Sequence, residues 1–463
     1  MFAKILHKEI LLHLREARFA WVAGLFCGLV LLGFLLMSQD YSRRLQGYRS
    51  SVDAERRQIL VVDASRPVRN QVRALTNDRG IYAFRPPRPL APLASGLESA
   101  TPTQIHVSDT RTWSRQASEV FYRNPLLVLF PRPDFAYIVG AILSLVALFF
   151  TFDAVCGEKQ SGALRLMFST GVSRDQVLLG KWTGAVLTLG APFLLATALG
   201  LLILMFVGHV ELDTASLVRI ASIVALALIY LSLFVTLGLA ISVLARRPSA
   251  SLLICLTVWV GTAFVLPHLL ASMGAVAAPT PAFQKIKLQK RALDEQRQKQ
   301  QAELRQMEHA GKITAEARQR RQQTLWEETE GRKARIDEDY ARKVDHQADI
   351  SQACSRLSPV VSFAYATAEL SGTGLDFYHS SQEAFERHRK DFREYARALK
   401  RRADAGELKA DWLKPEDIPR LAIRPRDLTE TFGAIAAEIL VLVAFQITVF
   451  ALAYVRFLYY DVR

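Results

Sequence analysis

The sequence of this 463-residue chain contains few residue patterns that are typical of an enzyme active site. A phosphate-binding loop of the form G-x-x-x-x-G-K-[ST] is absent, because Trp182 follows Gly180-Lys181 where Ser or Thr is required. The first glycine of that pattern is also missing, since Asp175 occupies its position. Neither H-E-x-x-H nor C-x-x-C occurs, and the nine histidines are scattered along the chain, so no metal site is predicted. We therefore expect no enzyme activity and no cofactor in this chain.

Three polar side chains within apolar segments are candidates for a path through a membrane. Glu438 and Gln446 lie eight residues apart in the last apolar segment, roughly on one helix face, and Asp153 ends the second apolar segment. Such groups are costly to place in a bilayer and often mark transport paths. Two interpretations of Glu438 stay open: pairing or hydrogen bonding inside a helix bundle, which is favoured, and a proton relay.

The segment 156–181 is the most specific part of the sequence. Leu164, Met167 and Phe168 fall at positions i, i+3 and i+4, which predicts a short amphipathic helix with Arg165 exposed beside an apolar face. Gly171, followed by Ser173, ends this helix. A short helix between two membrane spans suits docking into a groove on a soluble partner, which would supply the energy that this chain lacks.

The elements that position these residues are membrane spans. The composition is 51% hydrophobic and 22% charged, but the two kinds of residue are separated into apolar runs and charged tracts. A bilayer core about 30 Å thick needs about 20 apolar residues in a helix. Six segments meet this length: Phe19–Ser38, Phe135–Val155, Val177–Val207, Arg219–Leu244, Leu252–Ser272 and Phe432–Tyr454. The fold class predicted is an all-α polytopic membrane protein.

The net charge of +14 does not indicate nucleic-acid binding. No basic stripe interleaved with aromatic residues occurs, and the charged tracts have the mixed composition of a solvated surface. The four cysteines predict no intramolecular disulfide framework, because three lie in or at the ends of apolar runs. Cys354 alone lies in a large hydrophilic tract, where pairing across a dimer stays open.

Lysine and arginine in the short loops indicate the orientation. Basic residues cluster near the N-terminus and in the loops after the second and fourth spans, whereas the loop 208–217 has none. By the positive-inside rule both termini are cytoplasmic, and the tracts 39–133 and 273–431 face outward. The basic residues are Lys4, Lys8, Arg15, Arg18, Lys159, Arg165, Arg174, Lys181, Arg246 and Arg247.

The two outward tracts differ in kind. The run Arg85-Pro86-Pro87-Arg88-Pro89 cannot be helical, so 39–133 is predicted to be a loop-rich lobe with short helices at its edges. Residues 282–350 lack proline and are rich in Gln, Glu, Arg, Lys and Ala, which predicts two helices folded as a hairpin at Gly311-Lys312. A solvated hairpin with a weak packing stripe is favoured over an oligomerising coiled coil. A further charged helix is predicted at Ser381–Ala405.

The loop and the N-terminus resemble a known family, the ABC-2 type permeases, which are the membrane subunits of ATP-binding-cassette transporters. The loop is similar to that family's E-(x)3-G-T-L pattern followed by a serine, "VSR" and "GK", with Ala163 in place of the usual Thr. The stretch from Lys8 to Arg15 resembles the interfacial elbow helix of the family. The large outward insertions resemble the branch of gliding-motility and nitrous-oxide-reductase-maturation permeases. The matching loop residues are Glu158, Gly162, Leu164, Arg165, Ser169, Arg174 and Lys181.

The resemblance implies a permease subunit in the bacterial inner membrane that dimerises with a second copy or a paralogue. A separate cytoplasmic ATPase would bind ATP and Mg and drive export, and the loop would be the coupling helix that receives its motion. The implied domains are an interfacial helix 1–18, span 19–38, lobe 39–133, spans 134–272, lobe 273–431, span 432–455 and tail 456–463.

Two alternatives to transport stay open. The protein would be a mechanical transmitter if motion driven by the ATPase passed through the hairpin to a periplasmic protein, and stiff helices suit that role. It would be a receptor if the outward helices were a sensor, which is disfavoured because no signalling domain follows the last span. A mild-detergent pull-down distinguishes these alternatives by the proteins recovered with the chain.

Overall fold

The computed structural model describes residues 2–15, 17–60, 67–109, 132–169, 171–408, 417–424 and 426–459. Part of the predicted first lobe (110–131) and the end of the tail (460–463) lie outside the described residues. Within these described residues, six helical segments are long and apolar enough to cross a membrane, which confirms the all-α polytopic class. They are Phe19–Ile59, Phe135–Ser161, Arg174–Phe206, Thr214–Leu244, Pro248–Ala277 and Leu428–Leu458.

The chain divides into two compact units, residues 1–263 with 359–463 and residues 264–358. The helices of the first unit are α1 (Phe2–Arg15), α2 (Ala17–Leu60), α3 (Val68–Arg73), α4 (Phe135–Tyr137), α5 (Ser144–Thr151), α6 (Cys156–Ser161), α7 (Ala163–Ser169), α8 (Arg174–Phe206), α9 (Thr214–Leu244), α10 (Pro248–Val260), α14 (Pro359–Leu370), α15 (Leu375–Asp404) and α16 (Leu428–Leu458). The second unit contains α11 (Leu266–Ala277), α12 (Phe283–His309) and α13 (Ala315–Ser355).

Helix α9 lies at the centre of the membrane bundle and packs against α5, α14 and α16. Its Tyr230 is fully buried, stacks on Phe363 of α14 at 4.3 Å between ring centroids, and donates a hydrogen bond to the Gly140 carbonyl at 2.8 Å. Gly140 lies in a π-helical segment, Ile138–Leu143, and its carbonyl also accepts a hydrogen bond from Ser144 Oγ at 2.7 Å. The tyrosine hydroxyl therefore has a buried partner, as a polar group within the bilayer requires.

Helix α8 is the second long element of the bundle and packs against both α1 and α2. The packed face of α2 carries Phe26, Val30 and Phe34 at four-residue spacing, each at most 2% exposed. Trp21 on the same helix is 81% exposed, as expected for a side chain that faces lipid. The spacing of large side chains thus distinguishes the protein-facing side of α2 from its outer side.

Helix α2 continues well beyond the span predicted from the sequence. It runs without interruption to Leu60, so the chain leaves the bundle as a helix rather than as a loop. Its last turns pack against an antiparallel pair of strands, β1 (Ile81–Phe84) and β2 (Gln104–Val107), in which Ile81 pairs with Val107. These strands were not predicted, because each has only four residues.

The two predicted outward tracts contribute to a single lobe, formed by the end of α2, α3, β1, β2 and α15. Helix α15 begins six residues earlier than predicted, at Leu375, and one face of it is apolar. Its Phe385 and Phe392 lie in one apolar core with Ile81 and Ile105 of the strands. The lobe therefore depends on contacts between residues about 300 positions apart, which no local pattern indicates.

Acid is expected to destabilise this lobe through His388 on α15. The side chain is 3% exposed, and burial lowers its pKa below the ordinary value of 6.5, with Asp391 and the Arg420 backbone acting in the opposite direction. The unfolded chain therefore binds a proton more readily than the folded lobe, and stability falls as the pH drops below about 6.5. Melting temperatures at pH 7.5 and 5.5 test this: the drop should be smaller in His388→Gln, and an equal drop in both proteins contradicts it.

The second unit is a thin helical hairpin on a short apolar helix. Helix α12 ends at His309, Gly311 turns the chain with φ +70°, and α13 begins after Thr314, which caps it. Only Ile286 of α12 and Leu325 of α13 are buried among the apolar side chains of the two helices. Ion pairs join the helices instead: Arg318 with Glu308 at 2.8 Å, Lys333 with Asp294 at 2.5 Å, and Lys290 with Asp337.

Candidate functional site

The packing of α1 against α8 brings the candidate site together. Gly180 and Gly184 lie one turn apart on α8 and face Ile5 and Glu9, which lie one turn apart on α1. A Cβ atom at Gly180 would lie 2.7 Å from Ile5 Cγ2, and one at Gly184 would lie 3.0 Å from Glu9 Cβ. Both glycines are therefore needed for this close approach. The close approach of the two helices also places Glu9 beside Lys181, the residue that follows Gly180 on α8.

Lys181 is the centre of a buried ion cluster. Its side chain is 3% exposed, and its Nζ atom lies 2.8 Å from Glu158 Oε2 and 3.2 Å from Glu9 Oε1. Lys8, which is partly exposed, lies 3.5 Å from Glu158 and 3.8 Å from Glu9. Two lysines and two carboxylates balance each other, and the cluster joins three helices, α1, α6 and α8. Removal of a buried member, Glu9 or Lys181, would leave its buried partner without a compensating charge.

Glu158 and Lys181 were predicted as site residues, and the structure places them in direct contact. Glu9 was not predicted, although it is the only acidic residue in the first 15 and shares a face with Ile5. A carboxylate in the protein-facing stripe of an interfacial helix requires a buried cation. That signal was available in the sequence, but nothing local identified Lys181, 172 positions away, as the cation.

Two short helices, α6 and α7, form the loop between the spans. Gly162 separates them with φ +76°, a left-handed conformation that favours glycine. Leu164 is fully buried, and Met167 and Phe168 pack against the same core, so this chain itself covers the predicted apolar face of the helix. The face of α7 that remains for a partner carries Arg165, which is exposed, and Leu166, which is 72% exposed.

Ser169 and Arg174 stabilise the end of this loop. The Ser169 hydroxyl donates to the Leu166 carbonyl at 2.8 Å within α7. Arg174 at the start of α8 donates to the Phe457 carbonyl at 3.1 Å and to the Leu458 carbonyl, the last residues of α16. Its guanidinium also lies 5.6 Å from the centroid of the Phe168 ring. Arg174 therefore neutralises the negative end of α16 and attaches it to the loop.

The polar residues predicted inside the spans do not form one cluster. Gln446 donates to Thr236 Oγ1 of α9 at 2.8 Å, and Trp182 Nε1 of α8 donates to the same oxygen at 2.8 Å. This bridge joins α8, α9 and α16, and Trp182 was not predicted to take part in it. Glu438 is 2% exposed and lies two turns from Gln446, whereas Asp153 is half-buried beside α6.

Among the described residues, no group of three or more His, Cys, Asp or Glu side chains has a geometry that would hold a metal ion. All four cysteines are free, and Cys156 and Cys255 are buried. The ion pairs of Lys181 with Glu9 and Glu158 at the α1 end of the bundle join helices to one another.

Comparison with known families identifies the family of this chain. The model of the ABC-2 family transporter protein matches residues 3–462, nearly the whole chain. No curated protein matches the chain. Membership in this family implies a membrane subunit that works with a partner ATPase. From this match, together with its six membrane spans, the chain belongs to the ABC-2 family of transporter proteins.

Proposed function

We propose that the chain is the permease subunit of an exporter in the bacterial inner membrane, with both termini in the cytoplasm. A separate subunit binds ATP and Mg, hydrolyses the nucleotide, and docks on the exposed face of α7. The observation that supports this proposal is the position of Lys181 on α8. Its ion pairs with Glu9 and Glu158 join α8 to α1 and to α6, the helix next to α7. Force applied at α7 therefore moves two helices of the bundle together.

A second connection runs from the loop to the last span. Arg174 and Phe168 both contact the end of α16, and the Phe168 and Phe457 rings lie 6.2 Å apart. Helix α7 cannot tilt without disturbing α16, because its buried Leu164 holds it against the core. Three helices thus receive the motion, and substrate would pass where a second copy or a paralogue meets this subunit.

Site-directed crosslinking tests the docking face. A photoreactive residue at Arg165 or Leu166 should crosslink to the ATPase in native membranes, and the reaction should depend on the presence of that subunit. Tyr82 in the lobe is the matched control, because it is 45% exposed but lies at the other end of the bundle, where no crosslink is expected. Crosslinking from Tyr82 but not from Leu166 would reverse the proposed orientation. A crosslink from neither would refute docking at α7.

Mechanical transmission is the second candidate function, and the second unit favours it. Helices α12 and α13 have 27 and 41 residues, or about 40 and 60 Å at 1.5 Å per residue. Ion pairs hold them together with few buried side chains, as suits a solvated arm that engages an external protein. The branch of permeases with large outward insertions, which the sequence resembles, fits either function.

Deletion of 290–345 is expected to remove the hairpin while the first unit still inserts and assembles with the ATPase. The reason is that the two units are compact on their own, and the ion pairs named above lie within the hairpin. Co-purification of the deletion variant with the ATPase measures assembly. An assay of export then distinguishes transport from mechanical transmission. Export that survives the deletion favours transport by the bundle alone. Loss of insertion would show that the hairpin is needed to build the bundle.

A further inference from the structure

The junction between α5 and α6 is a break in the helix that leads to the docking face. Helix α5 ends at Thr151, residues 152–155 form a turn, and α6 begins at Cys156. The ends of helices leave backbone N–H and C=O groups without partners inside the helix, and buried groups of this kind need other partners. Val155 occupies the N-cap position of α6, and its side chain has no oxygen that could accept a hydrogen bond.

Ser242 on α9 supplies the missing cap. Its side chain is fully buried, and its Oγ atom accepts hydrogen bonds from the backbone N–H groups of Val155 at 3.0 Å and Cys156 at 3.2 Å. The hydroxyl donates in turn to Cys156 Sγ at 3.4 Å. The start of α6 is thus capped by a side chain 87 positions from Val155, in the last turn of the central helix of the bundle.

Ser251, near the start of α10, holds the other side of the same break. It is also fully buried, and its hydroxyl donates to the Phe152 carbonyl at 2.5 Å. Cys156 Sγ donates to the same oxygen at 3.4 Å. Phe152 directly follows the last residue of α5, so its carbonyl lies on the side of the turn opposite to the cap of α6. The two serines therefore tie the turn 152–155 to α9 and to α10.

These contacts add α9 and α10 to the helices already connected to the loop. Lys181 joins α6 to α1 and α8, and Arg174 joins the start of α8 to α16. Helix α9 packs against α5, α14 and α16, so a displacement of α9 affects much of the bundle. Helix α10 packs against both α5 and α6. A movement of α6 therefore either shifts α9 and α10 or breaks buried hydrogen bonds, which is costly because the freed backbone groups stay buried.

We propose that Ser242 and Ser251 are positioning residues that pass the motion of α6 and α7 to α9 and α10. The inference rests on the proposed function, because it requires the ATPase to dock at α7, the helix that follows α6. The two hydroxyls keep the turn 152–155 rigid, so that α6 moves together with α9 and α10. Without these hydroxyls the turn bends, and α6 moves while α9 stays in place.

Hydrogen exchange in the complex of the full-length chain with its ATPase tests this role. In the wild type, a non-hydrolysable ATP analogue should change the exchange rates both in 156–169 and in 241–248, the end of α9 and its loop to α10. In Ser242→Ala the change in 156–169 should remain, and the change in 241–248 should be lost. A role in stability alone would not separate these two segments. Ser232→Ala is the matched control, because the Ser232 hydroxyl donates to the Ile229 carbonyl at 2.8 Å within α9 itself.

The rate of ATP hydrolysis gives a second readout. Stimulation of the ATPase by the chain should fall about five-fold in Ser242→Ala and in Ser251→Ala, within the range by which single residues change the coupling between sites. The photocrosslink from Leu166 to the ATPase should persist in both variants, and its loss would assign the serines to docking and overturn the inference.

Two further results would overturn the inference: a change in 241–248 that persists in Ser242→Ala, or an equal fall in stimulation in Ser232→Ala. A wild-type chain that neither crosslinks to the ATPase nor stimulates it would instead refute the proposed function, and this inference with it. If Ser242→Ala fails to fold, Ser251→Ala gives the same decision, since it removes one hydrogen bond and leaves the cap of α6 in place.

Discussion

Replacement of Lys181 by Met is expected to destabilise the protein by about 3–5 kcal/mol and to uncouple the ATPase from the bundle. The Met side chain fills the space of the lysine stem but leaves Lys8, which is 43% exposed, as the remaining cation near the Glu9 and Glu158 carboxylates. The buried Glu9 carboxylate then loses its buried partner and repels Glu158, so α1 and α6 should separate from α8. The melting temperature in detergent measures the first effect. The second effect is measured by the ATPase rate of the partner subunit alone, with the wild-type chain and with the variant.

Lys8→Met is the matched control for this variant. Lys8 contacts the same two carboxylates but is 43% exposed, so its loss should cost less than about 1 kcal/mol. The triple variant Glu9→Gln, Glu158→Gln, Lys181→Met removes both carboxylates together with their buried cation, leaves only the partly exposed Lys8, and should regain most of the stability. If the triple variant also regains coupling, packing alone transmits the motion. If Lys181→Met is no less stable than Lys8→Met, the cluster is not a structural joint.

The membrane bundle follows from the sequence because each span is a local property. About 20 apolar residues must cross the bilayer as a helix, whatever lies elsewhere in the chain. The six spans and the hairpin turn at Gly311 were accordingly predicted close to where the structure has them. The ends of the helices were less predictable, since nothing in the sequence after Ser38 stops α2 before Leu60.

The lobe could not be predicted in the same way, because its core joins distant segments. Phe385 and Phe392 lie on the apolar face of α15, and the surface that this face packs against is a pair of four-residue strands. The candidate site shows the same limit on a smaller scale. Resemblance to a family found Glu158 and Lys181, whereas Glu9 and Trp182 acquire their roles only when α1 and α9 pack against α8.

The second large effect is expected from a substitution at Gly200, where α8 packs against α2. A Cβ atom at this position would lie 2.6 Å from Cε2 and 2.7 Å from Cγ of the Phe34 ring, and a buried ring cannot move aside as a flexible side chain can. Gly200→Val should therefore force α2 away from α8 and cost about 3 kcal/mol or more. The melting temperature and the yield of folded protein measure this loss.

Gly190→Val on the same helix is the control, because its Cβ atom would only touch Leu228 Cδ2 at 3.8 Å. The same side chain is then added at a site with room for it, so any difference between the two variants reports the contact with Phe34 rather than the change in helix propensity. Phe34→Ala in the Gly200→Val background should restore part of the stability by clearing the space that the valine needs. A Gly200→Val protein as stable as Gly190→Val, or no recovery with Phe34→Ala, would show that α2 does not pack on α8 through this pair.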